Sequence, residues 1–276
     1  MLWELLIKKK SKKVAAVLAC RIGSTRLFGK PLQRIGKYTI LELLINQIKK
    51  SKVISDIVLA ISENPGNDVF IDFAKKHRLK FIIGNEKDVL IRLIKGAKLV
   101  NADIVFRVTT ENPYLYWEGI DSSIKEHIKQ NYDFSVIEPI PKGSGFHIIN
   151  RKTLEISHAK GSARHRSGDF DLYINKNKNQ FKTHTFEPEK ILQRSEVRLT
   201  VDTPQDLILV REIFNSLVKT RKPIQLKKII KFLDKNPELL KINSKYTIWK
   251  KVFDVMIKQS SKNSIILKFH RVVNKI

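Results

Sequence analysis

The sequence predicts an α/β domain built around a mostly parallel β-sheet. Two observations predict it. Four apolar runs of strand length each precede a segment whose apolar residues fall at helical spacing, and the connections between them are short. The runs are continuous rather than alternating, as expected of strands covered on both faces.

The first run, VAAVLAC (14–20), leads through a polar loop to TILELLINQIKKSK (39–52), where Ile40, Leu43, Leu44, Gln47 and Ile48 share one helical face. DIVLAIS (56–62) is the second expected strand. NPGND (64–68) is a turn, with Asn67 or Asp68 expected to cap the helix VFIDFAKKH (69–77). LKFIIG (79–84) and DIVFRVT (103–109) complete the strand set, followed by helices EKDVLIRLIKGAKLV (86–100) and EGIDSSIKEHIKQN (118–131).

Beyond residue 132 the rhythm breaks. YDFSVIEPI and GFHIINRKTL are expected strands joined by a Pro/Gly turn. The polar, glycine-containing stretch from Ser157 to Phe181 reads as a loop-rich excursion rather than a new domain. VRLTVD (197–202) returns to strand, and TPQDLILVREIFNSLVK (203–219) to helix, with Thr203 as cap and Pro204 in the first turn. QLKKIIKFLDKNPELLK supplies a further helix.

The chain has 276 residues and a formal net charge of +26. Its basic residues are dispersed, so the charge favours anionic ligands by long-range steering more than it marks a nucleic-acid surface. A nucleic-acid-binding protein is therefore the weaker reading. No apolar stretch reaches the ~18 residues of a membrane span. The N-terminal MLWELLIKKKSKK places its charges after a short apolar patch, unlike a signal peptide, and a cytoplasmic protein is expected. The single cysteine, Cys20, excludes an internal disulfide and a cysteine-rich metal site, and reads as a small residue at a strand end.

The loop after the first strand carries the chemistry. ACRIGSTRLFGKPLQRIG (19–36) places Arg21, Gly23, Ser24, Arg26, Gly29 and Lys30 together where ligands sit in open α/β sheets. Glycines admit a close ligand, arginine forks match phosphate oxygens in pairs, and lysine adds a point charge. That combination suits a polyphosphate. It is neither a Walker loop nor a G-x-G-x-x-G dinucleotide turn.

The pattern Arg21-x-Gly23-Ser24-x-Arg26-Leu27-x-Gly29-Lys30-x-Leu32 resembles the signature loop of sugar nucleotidyltransferases. It is most similar to the cytidylyltransferases of spore-coat polysaccharide biosynthesis and, more distantly, to the 3-deoxy-manno-octulosonate and acylneuraminate cytidylyltransferases. The likeness continues through AISENPGND (60–68), GNEKDVLIR (84–92), FRVTTENP (106–113), VRLTVDTPQDL (197–207) and FLDKNPELLKIN (232–243). It implies a Rossmann-like nucleotide-diphospho-sugar transferase fold of GT-A type, a three-layer sandwich with a loop-rich insertion.

The resemblance also implies roles. Arg21, Gly23, Ser24, Arg26 and Lys30 would hold the CTP triphosphate, with Arg21 and Lys30 acting in catalysis. Gly84, Asp88 and Val89 would border the base pocket. Glu111 and Asp202 would hold Mg²⁺, and His147, Arg164 and His165 would contact an anionic sugar acceptor. Trp117, beside Tyr114 and Tyr116, reads as packing beneath the metal loop. The implied domain spans 13–243, between an N-terminal extension (1–12) and a basic tail (244–276). The excursion 137–187 is expected to serve the acceptor and a homodimer, with FHIIN and FDLYI as apolar strand edges.

Two departures from the family pattern matter. Thr109-Thr110-Glu111 stands where relatives carry Thr-Gly-Asp, which sets the carboxylate one methylene further out. Gly143-Ser144-Gly145-Phe146-His147 replaces Gly-x-Asp-x-Glu, and no glutamate accompanies Arg164-His165. These changes predict an unusual acceptor, with a catalytically weakened nucleotide-binding relative as the alternative.

Overall fold

The computed structural model describes residues 12–218 and 222–244. The N-terminal extension, except Lys12, and the basic tail, except Ser244, lie outside the described residues.

Strand β1 (Val14–Cys20) leads through the polar loop to a small hairpin, β2 (Arg34–Ile35) and β3 (Tyr38–Thr39), and then to helix α1 (Ile40–Ile48). Three units of strand and helix follow: β4 (Ile54–Ser62) with α2 (Asp68–Lys76), β5 (Lys80–Gly84) with α3 (Val89–Leu99), and β6 (Ile104–Arg107) with α4 (Ile120–Lys129). The second half contains β7 (Phe134–Ile137), β8 (His147–Asn150), α5 (Arg151–Lys160), α6 (Leu172–Lys176) and β9 (Thr183–Phe186). Helices α7 (Pro204–Leu217) and α8 (Leu226–Lys235) close it.

One seven-stranded sheet runs in the order β5-β4-β1-β6-β8-β7-β9. β5, β4, β1 and β6 are parallel; β8 runs antiparallel to both β6 and β7, and β9 is parallel to β7. Side-chain alternation along β1 divides the core. Ala16 and Leu18 face the layer of α1, α2 and α4, while Ala15 and Val17 face α3, α5 and α6. The result is the expected three-layer α/β sandwich. A third cluster joins Val197, Leu199 and Val201 to α7 and α8.

Local chemistry explains the helix starts. Thr39 and Glu42 form a reciprocal capping box at α1, and Thr203 and Asp206 form another at α7, where Pro204 occupies the first turn. Asn67 is different: it stands at the N-cap position of α2 without a side-chain cap bond.

The structure corrects four expectations in the second half. GFHIINRKTL is not one strand, because β8 ends at Asn150 and Arg151 opens α5. VRLTVD does not enter the sheet. Leu199 and Thr200 donate backbone hydrogen bonds to the carbonyl of Lys142, and Val201 to that of Glu111, so its partners are loops beyond the strand ends. The excursion is less separate than its polarity suggested, since β8 and β9 belong to the main sheet. FHIIN and FDLYI are not available edges: β8 lies between β6 and β7, and Phe170 and Ile174 are buried, the latter within α6.

His127 on α4 is fully buried, with Nδ1 2.8 Å from Ser135 Oγ and Nε2 3.4 Å from Asn150 Oδ1. Burial pushes its pKa down to about 4. The folded protein therefore holds this ring neutral while the unfolded chain protonates it below its ordinary value. The stabilisation is complete above pH ~6.5 and is lost as pH falls toward ~4, a difference of about 3 kcal/mol. Denaturant titrations across that range should show the wild type losing about that much more stability than His127→Gln; parallel curves would contradict the assignment.

Candidate active site

The carboxyl ends of β1, β4, β5 and β6 open on one edge of the sheet, and the loop after β1 folds across that edge. Its shape is fixed by backbone contacts. The Ile22 N–H donates to Asn67 Oδ1 at 2.7 Å, while Asn67 Nδ2 donates to the Asn64 carbonyl at 2.7 Å. Asn67, predicted as a helix cap, thus spends its side chain on the loop. The Gly29 N–H returns to the Ile22 carbonyl at 3.1 Å, and Gly29 takes the left-handed conformation (φ 61°) that glycine tolerates. Lys30 and Pro31 then open a tight 3₁₀ turn.

This turn delivers Lys30 to Asp202. Lys30 Nζ lies 2.6 Å from Asp202 Oδ1, and Arg26 Nη2 lies 3.1 Å from the same oxygen. The other carboxylate oxygen accepts from Arg198 Nη2 at 2.6 Å. Lys30 is only 12% exposed, so it sits in the cleft wall rather than facing open solvent. Arg198 is buried and also holds the fully buried Asp206, at 2.8 Å through Nε and 3.0 Å through Nη2. Asp206 in turn accepts from the Asp202 and Thr203 backbone amides and from Asn243. Burial alone would raise the Asp202 pKa; hydrogen bonds from Lys30 and Arg198, with the charges of Lys30 and Arg26, outweigh it and hold the value down to about 2.

The resemblance pairs Glu111 with Asp202, and the backbone brings their segments together. The Val201 amide donates to the Glu111 carbonyl at 3.0 Å, which sets the two residues side by side. Burial raises the Glu111 carboxyl, and the Asp202 charge raises it further. Two neighbouring carboxylates are hard oxygen donors that suit Mg²⁺. Among the described residues no group of three or more His, Cys, Asp or Glu side chains gathers to hold a metal. An ion here would draw its other ligands from phosphate oxygens and water, as Mg²⁺ commonly does.

The cleft has a volume of about 640 Å³, and Arg21, Gly23, Ser24, Lys30 and Glu111 contribute to its lining. Arg21 pairs with Glu86 at 3.2 Å across it. Of the residues assigned to the base side, Val89 lines the cleft, while Asp88 works behind it. Asp88 caps α3 through the Ile91 amide at 2.8 Å and meets His158 Nε2 at 2.8 Å. Gly84 closes β5, where a side chain would crowd Arg92.

Arg92 and Arg107 lie within the matching motifs, which assign them no role. Arg92, on α3, is only 2% exposed. Its Nη1 donates to the carbonyls of Ala60 (2.8 Å) and Cys20 (3.3 Å), and Nη2 to that of Glu86 (3.3 Å), tying two strand ends to the cleft wall. Arg107 closes β6 and is treated below. Cys20 is buried and its thiol pushed up to about 12, mainly by that burial, so it is inert at neutral pH. Tyr114 and Trp117 pack as expected, donating to the carbonyls of Val210 and Ile224.

The structure separates the acceptor candidates. His147 lines a second cavity of about 470 Å³, which shares Arg107, Val108 and Thr109 with the cleft. Burial, with the nearby Arg107 charge, pushes its ring down to about 3, so it is neutral at physiological pH. Arg164 and His165 instead occupy a 3₁₀ turn after α5, in the segment whose Ala163, Ser167 and Gly168 line the nucleotide side. His165 Nδ1 accepts from the Ser162 amide at 2.9 Å and closes that turn. His147 thus lines the second cavity, while Arg164 and His165 share the turn beside the first. The segment that lost its acidic residues also has a steric reason for one glycine: at Gly143 (φ 95°), a Cβ would lie 2.5 Å from the Thr200 nitrogen.

A cytidylyltransferase family model matches residues 15–246. An uncharacterized protein of Methanocaldococcus jannaschii, MJ1063, is 31% identical over 232 residues, covering 84% of this chain and 95% of that protein. The spore coat polysaccharide biosynthesis protein SpsF of Bacillus subtilis is 26% identical over 227 residues, covering 80% and 94%. The solved structure of a cytidylyltransferase from Leptospira borgpetersenii superposes with a TM-score of 0.76 at 25% identity, covering 83% and 97%. The chain belongs to the cytidylyltransferase family and is a CTP-dependent nucleotidyltransferase.

The contact from Ile22 to Asn67 makes a prediction. Asn67→Ala should strand a partly buried amide, at a cost of about 1–3 kcal/mol locally. Hydrogen exchange at the Ile22 amide should accelerate roughly tenfold or more. Unchanged protection there would show that the loop is held by other means.

Proposed function

We propose that this cytidylyltransferase transfers the cytidylyl group of CTP to an anionic sugar, either a sugar acid or a sugar phosphate, and releases pyrophosphate. The product would be an activated precursor for surface polysaccharide, made in the cytoplasm. The polysaccharide part rests on the similarity to SpsF. Among the described residues no helix is long and apolar enough to cross a membrane.

The observation that carries this reading is the convergence of Lys30 and Arg26 on one oxygen of Asp202. Lys30 lines the cleft, and Arg26 joins it on the same carboxylate oxygen, at the edge of the sheet where a polyphosphate would lie. A triphosphate offers them stronger, multiply charged acceptors, while Arg198 keeps Asp202 in place. Asp202 remains ionised throughout the physiological range.

Each residue then has a task. Arg21, Arg26 and Lys30 neutralise the triphosphate, and Gly23 and Ser24 let the backbone approach it. Val89 walls the base side, with Asp88 fixing the start of α3. Glu111 and Asp202 would hold Mg²⁺, which supplies positive charge against the phosphate oxygens as negative charge develops there. An acceptor oxygen entering from the second cavity forms its bond to the α-phosphorus as the bond to pyrophosphate breaks. Catalysis is positioning plus electrostatic stabilisation, with no protein nucleophile.

The reading is tested by pyrophosphate release from each of the four ribonucleoside triphosphates, with a panel of sugar acids and sugar phosphates. CTP should support turnover with at least one acceptor and require a divalent cation. Equal release from all four triphosphates, or none with any acceptor, would overturn it. Lys30→Ala should lower kcat/KM for CTP by about 10² or more. Its melting temperature should change little, because Arg26 and Arg198 still hold Asp202. Retained kcat/KM would remove Lys30 from the reaction.

A further inference from the structure

Arg107 occupies a place that the proposed triphosphate contacts do not explain. It is the last residue of β6, so its side chain leaves the sheet at the active edge. With Val108 and Thr109 it forms the wall shared by the nucleotide cleft and the second cavity. Anything that reaches from the second cavity to attack the nucleotide must pass this wall.

The surroundings of Arg107 differ from those of the loop cations. Arg21 is paired with Glu86, while Arg26 and Lys30 are paired with Asp202. Arg107 forms no ion pair among the described residues, although the charges of Glu111, Asp171 and Asp169 reach it. Its guanidinium carbon lies 4.6 Å from the centre of the Phe170 ring, and Nη2 makes one long hydrogen bond, 3.4 Å, to the Gly168 carbonyl. A guanidinium carries five N–H donors. The ring fixes its plane while most of its donor fork goes unused by the protein. A partly buried, undercompensated arginine is costly unless something else supplies the negative charge. The second cavity also carries Lys142 and one carboxylate, Glu138, while His147 stays neutral.

We propose that Arg107 binds the anionic group of the acceptor, a carboxylate or a phosphate, and so sets which sugars are used. This rests on the nucleotidyltransferase reading of the cleft. It assigns the acceptor's charge to the junction of the two cavities, close to the attacking oxygen, rather than to His147, Arg164 and His165. The planar fork matches either oxyanion in a bidentate manner. Phe170, stacked beneath it, becomes a positioning residue.

The test uses the whole chain saturated with a non-hydrolysable CTP analogue, so that the loop cations are occupied. Pyruvate and inorganic phosphate serve as separate carboxylate and phosphate probes. Binding is followed through the Arg107 side-chain N–H resonance and the Val108 and Thr109 amides. At least one probe should bind in the millimolar range and move these signals. Arg107→Gln should weaken that binding tenfold or more, while affinity for the CTP analogue changes less than about threefold. The preferred probe identifies the acceptor's anion.

The analogue also reports on structure. Ala163, Ser167 and Gly168 line its cleft, so a merely structural role for Arg107 would weaken the nucleotide as well. Phe170→Leu, which keeps the charge but removes the ring beneath it, should weaken probe binding less than Arg107→Gln does and leave the CTP analogue unaffected. Three results would overturn the proposal: neither probe binds the wild type, Arg107→Gln leaves probe binding unchanged, or Arg107→Gln weakens the nucleotide and not the probe. A chain that ignores the CTP analogue but still binds a probe through Arg107 would refute the nucleotide reading alone.

Discussion

The site depends on one interaction, the capture of the Asp202 carboxylate by Lys30, Arg26 and Arg198. It joins the first loop of the chain to a segment more than 170 positions later. Arg198 makes the junction firm, because it is anchored on Asp206, and Asp206 also caps α7. The start of a helix, a buried ion pair and the proposed phosphate contacts are therefore parts of one network. A buried pair of this kind is weak evidence for stability in itself. Its consequence here is geometric: it sets the position of a carboxylate that the loop cations then find.

The sheet supplies the rest of the geometry. Four parallel strands bring their carboxyl ends to one edge, and Arg92 fastens two of those ends to the wall of the cleft. The antiparallel β8 next to β6 ends the parallel run and places the second cavity beside the first. The two cavities thus meet at Arg107, the last residue of β6, and at Val108 and Thr109 beyond it. The same arrangement explains why the two halves of the site differ in character. The first cleft is lined by charged loop residues, whereas the second cavity sets Arg107, Glu138 and Lys142 among Val136, Ile137, Ile140 and Phe146, with its histidine held neutral.

The parallel half was legible because its signals are local. Continuous apolar runs locate β1, β4, β5 and β6, and Thr203-Pro204 marks the start of α7. The contact of Lys30 and Arg26 with Asp202 was not expected, since nothing near residue 202 announces a partner near residue 30. The second half misled for physical reasons. VRLTVD has a strand's composition, but its hydrogen-bond partners are loop carbonyls, which composition does not encode. FHIIN and FDLYI looked like open edges because their apolar content does not reveal that neighbouring segments already cover them. Arg92 gives no local sign of its burial, since helical spacing does not reveal which strand-end carbonyls a guanidinium will meet.

The account predicts that the cations on Asp202 exchange partners when nucleotide arrives. A crystal structure with CTP and Mn²⁺, with the metal located by its anomalous scattering, tests this directly. The metal should lie between Glu111 and Asp202, Lys30 Nζ should have moved onto a phosphate oxygen, and Arg198 should still hold Asp202. A nucleotide bound elsewhere, with Lys30 and Arg26 unmoved on Asp202 and no metal between the two carboxylates, would contradict it.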